Sequence, residues 1–141
     1  MIRIALLAIL CIFVVSSFGS AEARFDGYGI GAAITPSVSY LTPANQSTID
    51  LTGKESMVFT WRPVPIPAGG VQNFRFRIYK GYSYGAIFAK DLEPRTWSVE
   101  VPSNIFEDGQ TYTWRVQQRD AQTMNWSRYD TWSFKVVKNI N

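Results

Sequence analysis

Apolar and polar residues alternate along much of the chain after residue 37, as they do in β-strands that bury one face. The alternation is clearest from Phe74 to Tyr79, where Arg75 and Arg77 separate apolar residues. Shorter runs of the same kind predict further strands at 38–41, 49–51, 57–62, 86–90, 97–101, 112–117 and 132–137. No run has a convincing helical period, so the pattern indicates an all-β sandwich or barrel.

Proline and glycine mark the ends of these predicted strands. Pro63 must end the third strand because proline cannot donate to a sheet ladder, and the stretch from Pro63 to Gly70 is predicted to be a loop. The residues from Gly81 to Gly85 form a predicted turn, and Pro102 closes a later strand.

The inward positions of the alternating runs are rich in aromatic residues, which make up 15% of the chain. Buried rings remove large apolar areas from water, so packing alone can hold a small domain together. The predicted core residues are Trp61, Phe76, Trp97, Tyr112, Trp114 and Phe134.

Residues 1–23 have the pattern of a signal peptide. Arg3 gives a basic start, Ile4 to Phe18 is almost continuously apolar, and Ala21 and Ala23 are small residues before a cleavage site. The apolar run is shorter than the roughly 20 residues that span a bilayer, which favours cleavage over a retained membrane anchor. The protein is therefore expected to be secreted, extracellular or periplasmic, with no transmembrane helix after cleavage.

The residue types needed for most catalysis are missing. Cys11 is the single cysteine and lies in the predicted signal peptide, and the chain has no histidine, so the usual nucleophile and base pairs are absent. Asp91 with Glu93, and Glu107 with Asp108, lie in or beside predicted turns, where solvated carboxylates are expected. The sequence therefore predicts no enzyme, no metal site and no cofactor.

The charge of the chain is mild. Lys and Arg number 14 and Asp and Glu number 11, which gives a formal charge of +3 without a long run of either sign. A dedicated nucleic-acid partner would favour a concentrated basic patch, so nucleic acid is not an expected partner.

The later strands carry a recognisable pattern. Tyr112 and Trp114 lie two residues apart, Trp126 precedes the final strand, and Trp61 stands near the end of an earlier one. These residues resemble fibronectin type III domains of secreted bacterial proteins, over about residues 38 to 138. The resemblance implies a seven-stranded immunoglobulin-like β-sandwich with a tyrosine corner, in which the Tyr112 hydroxyl bonds to backbone a few residues upstream.

The resemblance also divides the chain and shows departures from the family. The expected order is the signal peptide 1–23, a flexible Gly-rich leader 24–37 and the domain 38–138. Gln118 stands where the family often has alanine, and the loop from residue 121 to 129 lacks its usual glycine.

In a fibronectin-type sandwich the outward residues of three of these strands share one sheet face. They are Arg75, Arg77, Arg115, Arg119 and Lys135. We interpret them as a candidate binding face for an acidic glycan, a cell-wall polymer or a protein. The alternative is that they are ordinary solvent-facing charges, balanced by nearby acids.

Two further features suggest other contacts. Tyr82 and Tyr84 in one turn, and Trp126 and Tyr129 in another, are candidate loop aromatics that could stack on sugar rings, although the position of Trp126 before a serine favours packing. The segment from residue 28 to 34 is more apolar than a plain linker needs to be, and could add itself as a strand to a neighbouring copy.

Together these features predict a non-catalytic secreted binding or interaction module that serves adhesion or cell-envelope assembly through a sheet face or loops. The expected partner is a protein or a cell-surface polysaccharide. Two alternatives stay open. One is a self-assembling extracellular structural subunit that forms a homo-oligomer by donating its leader as a strand, and the other is a carbohydrate-binding module that uses the loop aromatics.

Overall fold

The computed structural model describes residues 34–139, which form eight β-strands in two sheets. The predicted signal peptide, Cys11 and leader residues 24–33 lie outside the described residues. The strands are β1 (Ser39–Thr42), β2 (Ser47–Asp50), β3 (Ser56–Arg62), β4 (Val71–Lys80), β5 (Ala86–Leu92), β6 (Ser98–Pro102), β7 (Thr111–Asp120) and β8 (Trp132–Val137), with a 3₁₀ turn at Ser103–Ile105. Within this range no helix is long and apolar enough to cross a membrane.

The two sheets have unequal sizes. One has the strand order β1-β3-β6, and the other has the order β2-β8-β7-β4-β5. Neighbouring strands run antiparallel except β2 and β8, which are parallel. The prediction of an all-β sandwich is confirmed. The predicted count of seven strands is wrong, because the chain changes sheets between β1 and β2 and each of these short strands pairs separately.

Phe59 joins the two sheets at the centre of the core. It belongs to β3 of the smaller sheet and is 0% exposed. Its ring centroid lies 5.0 Å from that of Phe76, 5.3 Å from that of Trp114 and 5.5 Å from that of Phe134, all in the larger sheet. Trp61, Phe76, Tyr112, Trp114 and Phe134 are all buried, as predicted.

The prediction that Trp97 lies in the core is wrong. Val99 and Val101 are buried, but Trp97 is 58% exposed. Trp97 lies one residue before β6. Its carbonyl accepts a hydrogen bond from the N–H of Trp61, but its ring does not continue the buried face of Val99 and Val101.

The predicted tyrosine corner is present. The Tyr112 hydroxyl accepts a hydrogen bond of 2.7 Å from the backbone N–H of Glu107. The Tyr112 ring packs edge-on against Phe106, 5.0 Å between centroids. This bond fixes the connection that leads into β7.

A second tyrosine ties the sheets together. The Tyr40 hydroxyl, which belongs to β1, accepts a hydrogen bond of 2.9 Å from the N–H of Val116 in β7 and donates one of 2.6 Å to the carbonyl of Asp130. Tyr40 is 6% exposed, and burial raises its pKa well above the ordinary value. The proton that the hydroxyl donates to Asp130 is therefore retained to a higher pH than that of an exposed tyrosine.

Tyr40→Phe is expected to lower the free energy of unfolding by about 2 kcal/mol, because it leaves the buried N–H of Val116 without an acceptor. Urea unfolding followed by fluorescence measures the loss. Tyr82→Phe is the matched control, since Tyr82 is 73% exposed, and it should leave the midpoint unchanged.

The same hydroxyl predicts an alkaline dependence. Above the ordinary tyrosine pKa of 10.0, the unfolded chain releases the proton of Tyr40 while the folded chain retains it. The unfolded state then binds fewer protons, so stability falls as pH rises, by up to about 1.4 kcal/mol per pH unit. Tyr40→Phe should lose this part of the slope. Parallel stability profiles for the two proteins above pH 10 would contradict the assignment.

Candidate functional site

A groove of about 570 Å³ lies where β3 passes into the loop that connects it to β4. Apolar side chains form eight of its ten lining positions, and they come from β1, β3, the connecting loop, the first residue of β4 and the residue before β6. The volume falls within the range of small-ligand sites, which are mostly apolar with a few placed polar groups.

Two large apolar side chains are exposed at this groove. Trp97 is 58% exposed and Leu41 is 42% exposed, whereas Trp61 and Ile66 are buried. The backbone N–H of Trp61 donates a 3.1 Å hydrogen bond to the carbonyl of Trp97, so the backbone beside the exposed indole is fixed to β3. The groove thus presents a large ring on a rigid support.

A buried donor in the groove has no partner. The indole Nε1 of Trp61 is shielded from solvent, and no acceptor among residues 34–139 lies within hydrogen-bonding distance of it. Leaving such a donor unpaired costs about 1–3 kcal/mol. The fold itself bears this cost, because a ligand in the groove cannot reach an atom without exposed surface.

Gln118 positions the loop that forms one wall of the groove. Its side chain is fully buried, and its Nε2 donates hydrogen bonds of 2.9 Å to the carbonyl of Val64 and 2.8 Å to the carbonyl of Pro36. The N–H of Val64 donates one of 3.3 Å to the Gln118 Oε1. The Gln118 side chain therefore holds both the β3–β4 loop and the residues before β1 against β7.

The last residues of the predicted leader pack onto the sandwich. Thr35 is 4% exposed and its hydroxyl donates a 3.4 Å hydrogen bond to the carbonyl of Asn125. The hydroxyl of Ser37 donates one of 3.1 Å to the carbonyl of Arg128. Thr35 and Ser37, which the sequence assigns to the leader, thus make contacts with the domain.

The five basic residues of the candidate face lie on one sheet, in β4, β7 and β8, but most of their guanidinium groups stack on the protein's own rings. Trp126 lies between two of them, with its centroid 4.1 Å from the Arg75 guanidinium carbon and 5.3 Å from that of Arg119. The Arg115 guanidinium lies 4.7 Å from the ring centroid of Tyr79 and 4.5 Å from that of Tyr129. Such cation–π contacts contribute about 0.5–1 kcal/mol each at exposed sites.

Arg77 and Lys135 have no such stacking contact within residues 34–139. Arg77 lies directly opposite Arg115 in the register of β4 and β7, and Lys135 pairs with Thr111 at the far end of β7. Arg75 is further engaged with Asp91, whose Oδ1 lies 3.5 Å from its Nε. The sheet therefore brings the predicted basic residues together on one face. Most of the arginines stack on Trp126 and Tyr129, so the face is not a row of free basic groups.

The loop between β7 and β8 reaches its geometry without glycine. Met124 takes a left-handed backbone conformation with φ of 62°, and its carbonyl accepts a 2.8 Å hydrogen bond from the Nε of Arg119. Asp120 begins the loop by accepting a 2.7 Å bond from the N–H of Gln122, and this bond lowers the pKa of the Asp120 carboxyl. Side-chain hydrogen bonds replace the missing glycine.

The four candidate loop aromatics do not form one surface. Tyr82 and Tyr84 are strongly exposed in the turn after β4, near the start of β7. Trp126 and Tyr129 lie in the loop after β7, and their rings stack on Arg75 and Arg115 over the face of the larger sheet.

The groove is the feature that sequence reasoning missed. Its sequence signal is the stretch from Pro63 to Pro67, in which prolines alternate with Val64 and Ile66 and no side chain is polar. The sequence predicts this stretch only as a loop, and it places Trp97, the exposed ring, in the core.

Comparisons with known proteins show the fold and leave the family open. No family model matches the chain, and no curated protein matches it. A β-sandwich protein from a computer-based redesign is similar in structure, with a TM-score of 0.51 and 14% identity over 74% of this chain and 89% of that one. A myokine structure has a TM-score of 0.52 and 16% identity over 74% of this chain and 99% of the myokine.

A β-1,2-glucanase from Parabacteroides distasonis also matches, with a TM-score of 0.50 and 12% identity over 78% of this chain, which spans 14% of that enzyme. At these identities the likeness concerns the fold alone. The comparisons and the two packed sheets together define the chain as a β-sandwich protein.

Proposed function

We propose that this protein is a non-catalytic, secreted interaction module of the fibronectin type III class, and that it contacts its partner through the groove at the β3–β4 loop. The class is supported by the hydrogen bond between Glu107 and the Tyr112 hydroxyl, by the two unequal sheets and by a core without cysteine. Export is supported by the signal-peptide pattern of residues 1–23.

The observation that carries the binding site is the exposed indole of Trp97 at an apolar groove. Tryptophan is among the residues that contribute most to protein interfaces, and it does so at well-packed pockets. The backbone bond to Trp61 holds the main chain of Trp97 in place, so the main chain there does not have to be ordered on binding.

The alternative surfaces are less available. Trp126 and Tyr129 are already engaged with arginines, so a sugar-binding surface would rest on Tyr82 and Tyr84 alone. The arginines of the basic face stack on the same two rings. Self-assembly through the leader depends on residues 28–34, which lie almost entirely outside the described range.

A photo-crosslinking amino acid placed at three positions, in the chain expressed in its own cells, tests the proposal. Position 97 reports on the groove, position 77 on the basic face and position 84 on the loop tyrosines. We expect a discrete adduct of higher mass from position 97 after irradiation and none from position 84. Adducts from position 77 or 84 without one from position 97 would assign the contact to another surface and contradict the groove.

A further inference from the structure

Positive charge is concentrated on the outward face of the larger sheet. This basic face comprises Arg75, Arg77, Arg115, Arg119 and Lys135. Among the outward positions of β4, β5, β7 and β8 the one acidic residue is Asp91, which lies opposite Arg75. The formal charge of the whole chain is only +3, so this face carries more net positive charge than the chain as a whole. A surface of this kind attracts an anionic partner.

Two arginines of this face form a pair of like charges. Arg77 in β4 lies directly opposite Arg115 in β7, so their side chains leave the sheet within about 5 Å of each other. Both residues are partly exposed, and within residues 34–139 neither forms an ion pair. Like charges at directly opposite positions are destabilising. The fold bears this cost, and an anion bound between the two guanidinium groups would remove it.

The stacking of the arginines on aromatic rings leaves most of their hydrogen-bond donors unused. A cation–π contact uses the flat face of a guanidinium, whereas its N–H groups point outward in its plane. Arg115 stacks on both Tyr79 and Tyr129, and its Nε donates a 3.1 Å hydrogen bond to the Oγ1 of Thr131. Arg119 also donates through its Nε. Within the part of the chain that the structure describes, the Nη groups of these two arginines donate to no other residue.

These contacts prepare Arg115 to bind an anion. Its guanidinium is held in place before a ligand arrives, so less side-chain entropy is lost on binding. The two Nη groups form a planar fork that matches the two oxygens of a carboxylate through paired hydrogen bonds. Arg77 lies beside it without a stacking contact and supplies a second cation. The pair therefore forms a site for a carboxylate group.

The other outward positions favour a polar polymer over a protein. In β4 and β7 they include Asn73, Thr113 and Gln117, which are polar, and the neighbouring rings already stack on arginines. The core of a protein interface is more apolar and depleted in charged residues. Arg75 and Arg77 are two residues apart on one strand, so their side chains leave it about 7 Å apart. The cations thus follow the strands, as a linear polyanion requires.

We propose that the basic face binds a linear acidic polysaccharide. Its carboxylates pair with Arg77 and Arg115, and its hydroxyl groups accept hydrogen bonds from the Nη groups of Arg119. This is a second binding activity on a surface other than the groove, so its failure would leave the proposed contact at Trp97 unaffected.

Fluorescence anisotropy with labelled polymers tests the ligand class on the purified secreted protein, in about 0.15 M salt to screen weak charge contacts. The probe is polygalacturonate. Its fully methyl-esterified form keeps the sugar backbone without the charges, poly-glutamate places carboxylates on a peptide, and a single-stranded DNA oligonucleotide carries phosphates. We expect polygalacturonate to bind at least about tenfold more tightly than each of the others.

Substitutions on the basic face identify the contacts. Arg77→Gln removes a cation that makes no stacking contact, so it should weaken polygalacturonate binding about fivefold without loss of folding. Arg115→Lys keeps the charge but removes the planar fork, and it should weaken binding by a similar factor of about five. Circular dichroism confirms that both variants are folded. Arg95→Gln is the matched control, because Arg95 is an exposed arginine in the turn between β5 and β6, and it should bind as the wild type does. Trp97→Ala should also leave this binding unchanged.

Four outcomes would overturn the proposal. Equal losses for Arg77→Gln and Arg95→Gln would show that net charge alone attracts the polymer. Poly-glutamate that binds as tightly as polygalacturonate would make an acidic protein the partner, and tighter binding of the oligonucleotide would make it a nucleic acid. Failure of every probe to bind would mean that the arginines serve only the fold, and a crosslink at position 97 in cells would still support the proposed function.

Discussion

Replacing Phe59 by alanine is expected to lower the free energy of unfolding by about 4 kcal/mol, the largest effect we expect from a single core substitution in this domain. Phe59 is fully buried and its ring contacts four others, Phe76, Phe106, Trp114 and Phe134. These rings come from the larger sheet and from the segment before β7, so the cavity would open between the two sheets. Neighbouring side chains cannot fill it without moving a whole strand.

Val58→Ala is the matched control, because Val58 is adjacent in β3 and is 51% exposed on the other face. It should change stability by less than about 0.5 kcal/mol. Urea unfolding monitored by circular dichroism gives both values, with the slope compared between variants to confirm a common unfolded state. Equal losses for the two substitutions would show that Phe59 does not join the sheets as described.

This contrast between adjacent residues is the part of the structure that the sequence predicts well. In β3 the alternation of Met57, Phe59 and Trp61 with polar or exposed neighbours sets which side chains are buried, because a paired strand turns successive residues to opposite faces. The same rule predicted Phe76, Trp114 and Phe134. The rule needs only the order of residues along one strand and a sheet with one buried face.

The same rule gives wrong results at the ends of the strands. Trp97 shares the spacing of Val99 and Val101, yet it lies one residue before β6 and its ring is exposed, although its carbonyl still accepts a hydrogen bond from Trp61. The count of seven strands comes from the family resemblance, whereas the alternating runs predict two separate strands on either side of Pro43, and these join different sheets. Local pattern does not say which sheet a short edge strand joins, because that choice depends on contacts distant in sequence.

The candidate site shows a second limit. Arg75 and Arg115 alternate with apolar residues as outward charges should, and they lie with Arg119 on one outward face. Their stacking on Trp126 and Tyr129 depends on how the β7–β8 loop folds back over the sheet, which rests on the hydrogen bonds of Asp120 and Arg119. The groove depends likewise on the loop after β3, so neither arrangement follows from periodicity.

Gln118→Ala is expected to lower the free energy of unfolding by about 3 kcal/mol, even though alanine is common at this position in the domains that the sequence resembles. The substitution removes a fully buried side chain and leaves the N–H and carbonyl of Val64 and the carbonyl of Pro36 without partners. Gln72→Ala, at an exposed position of β4, is the control and should be nearly neutral. The two midpoints in urea give the comparison.

Hydrogen exchange shows whether the loss of stability arises at the hydrogen bonds of Gln118. The amide of Val64 is protected by Gln118 alone, so Gln118→Ala should expose it to exchange, while the amide of Val116, held by Tyr40, should stay protected. Gln118→Glu keeps an acceptor for Val64 but removes both donors, and its new buried carboxylate would face two carbonyl oxygens. That arrangement raises the pKa of the introduced carboxyl, so its destabilisation should shrink as pH falls and the group regains a proton. Unchanged exchange at Val64 in Gln118→Ala would mean that the loop, and the groove wall it forms, is held by other contacts.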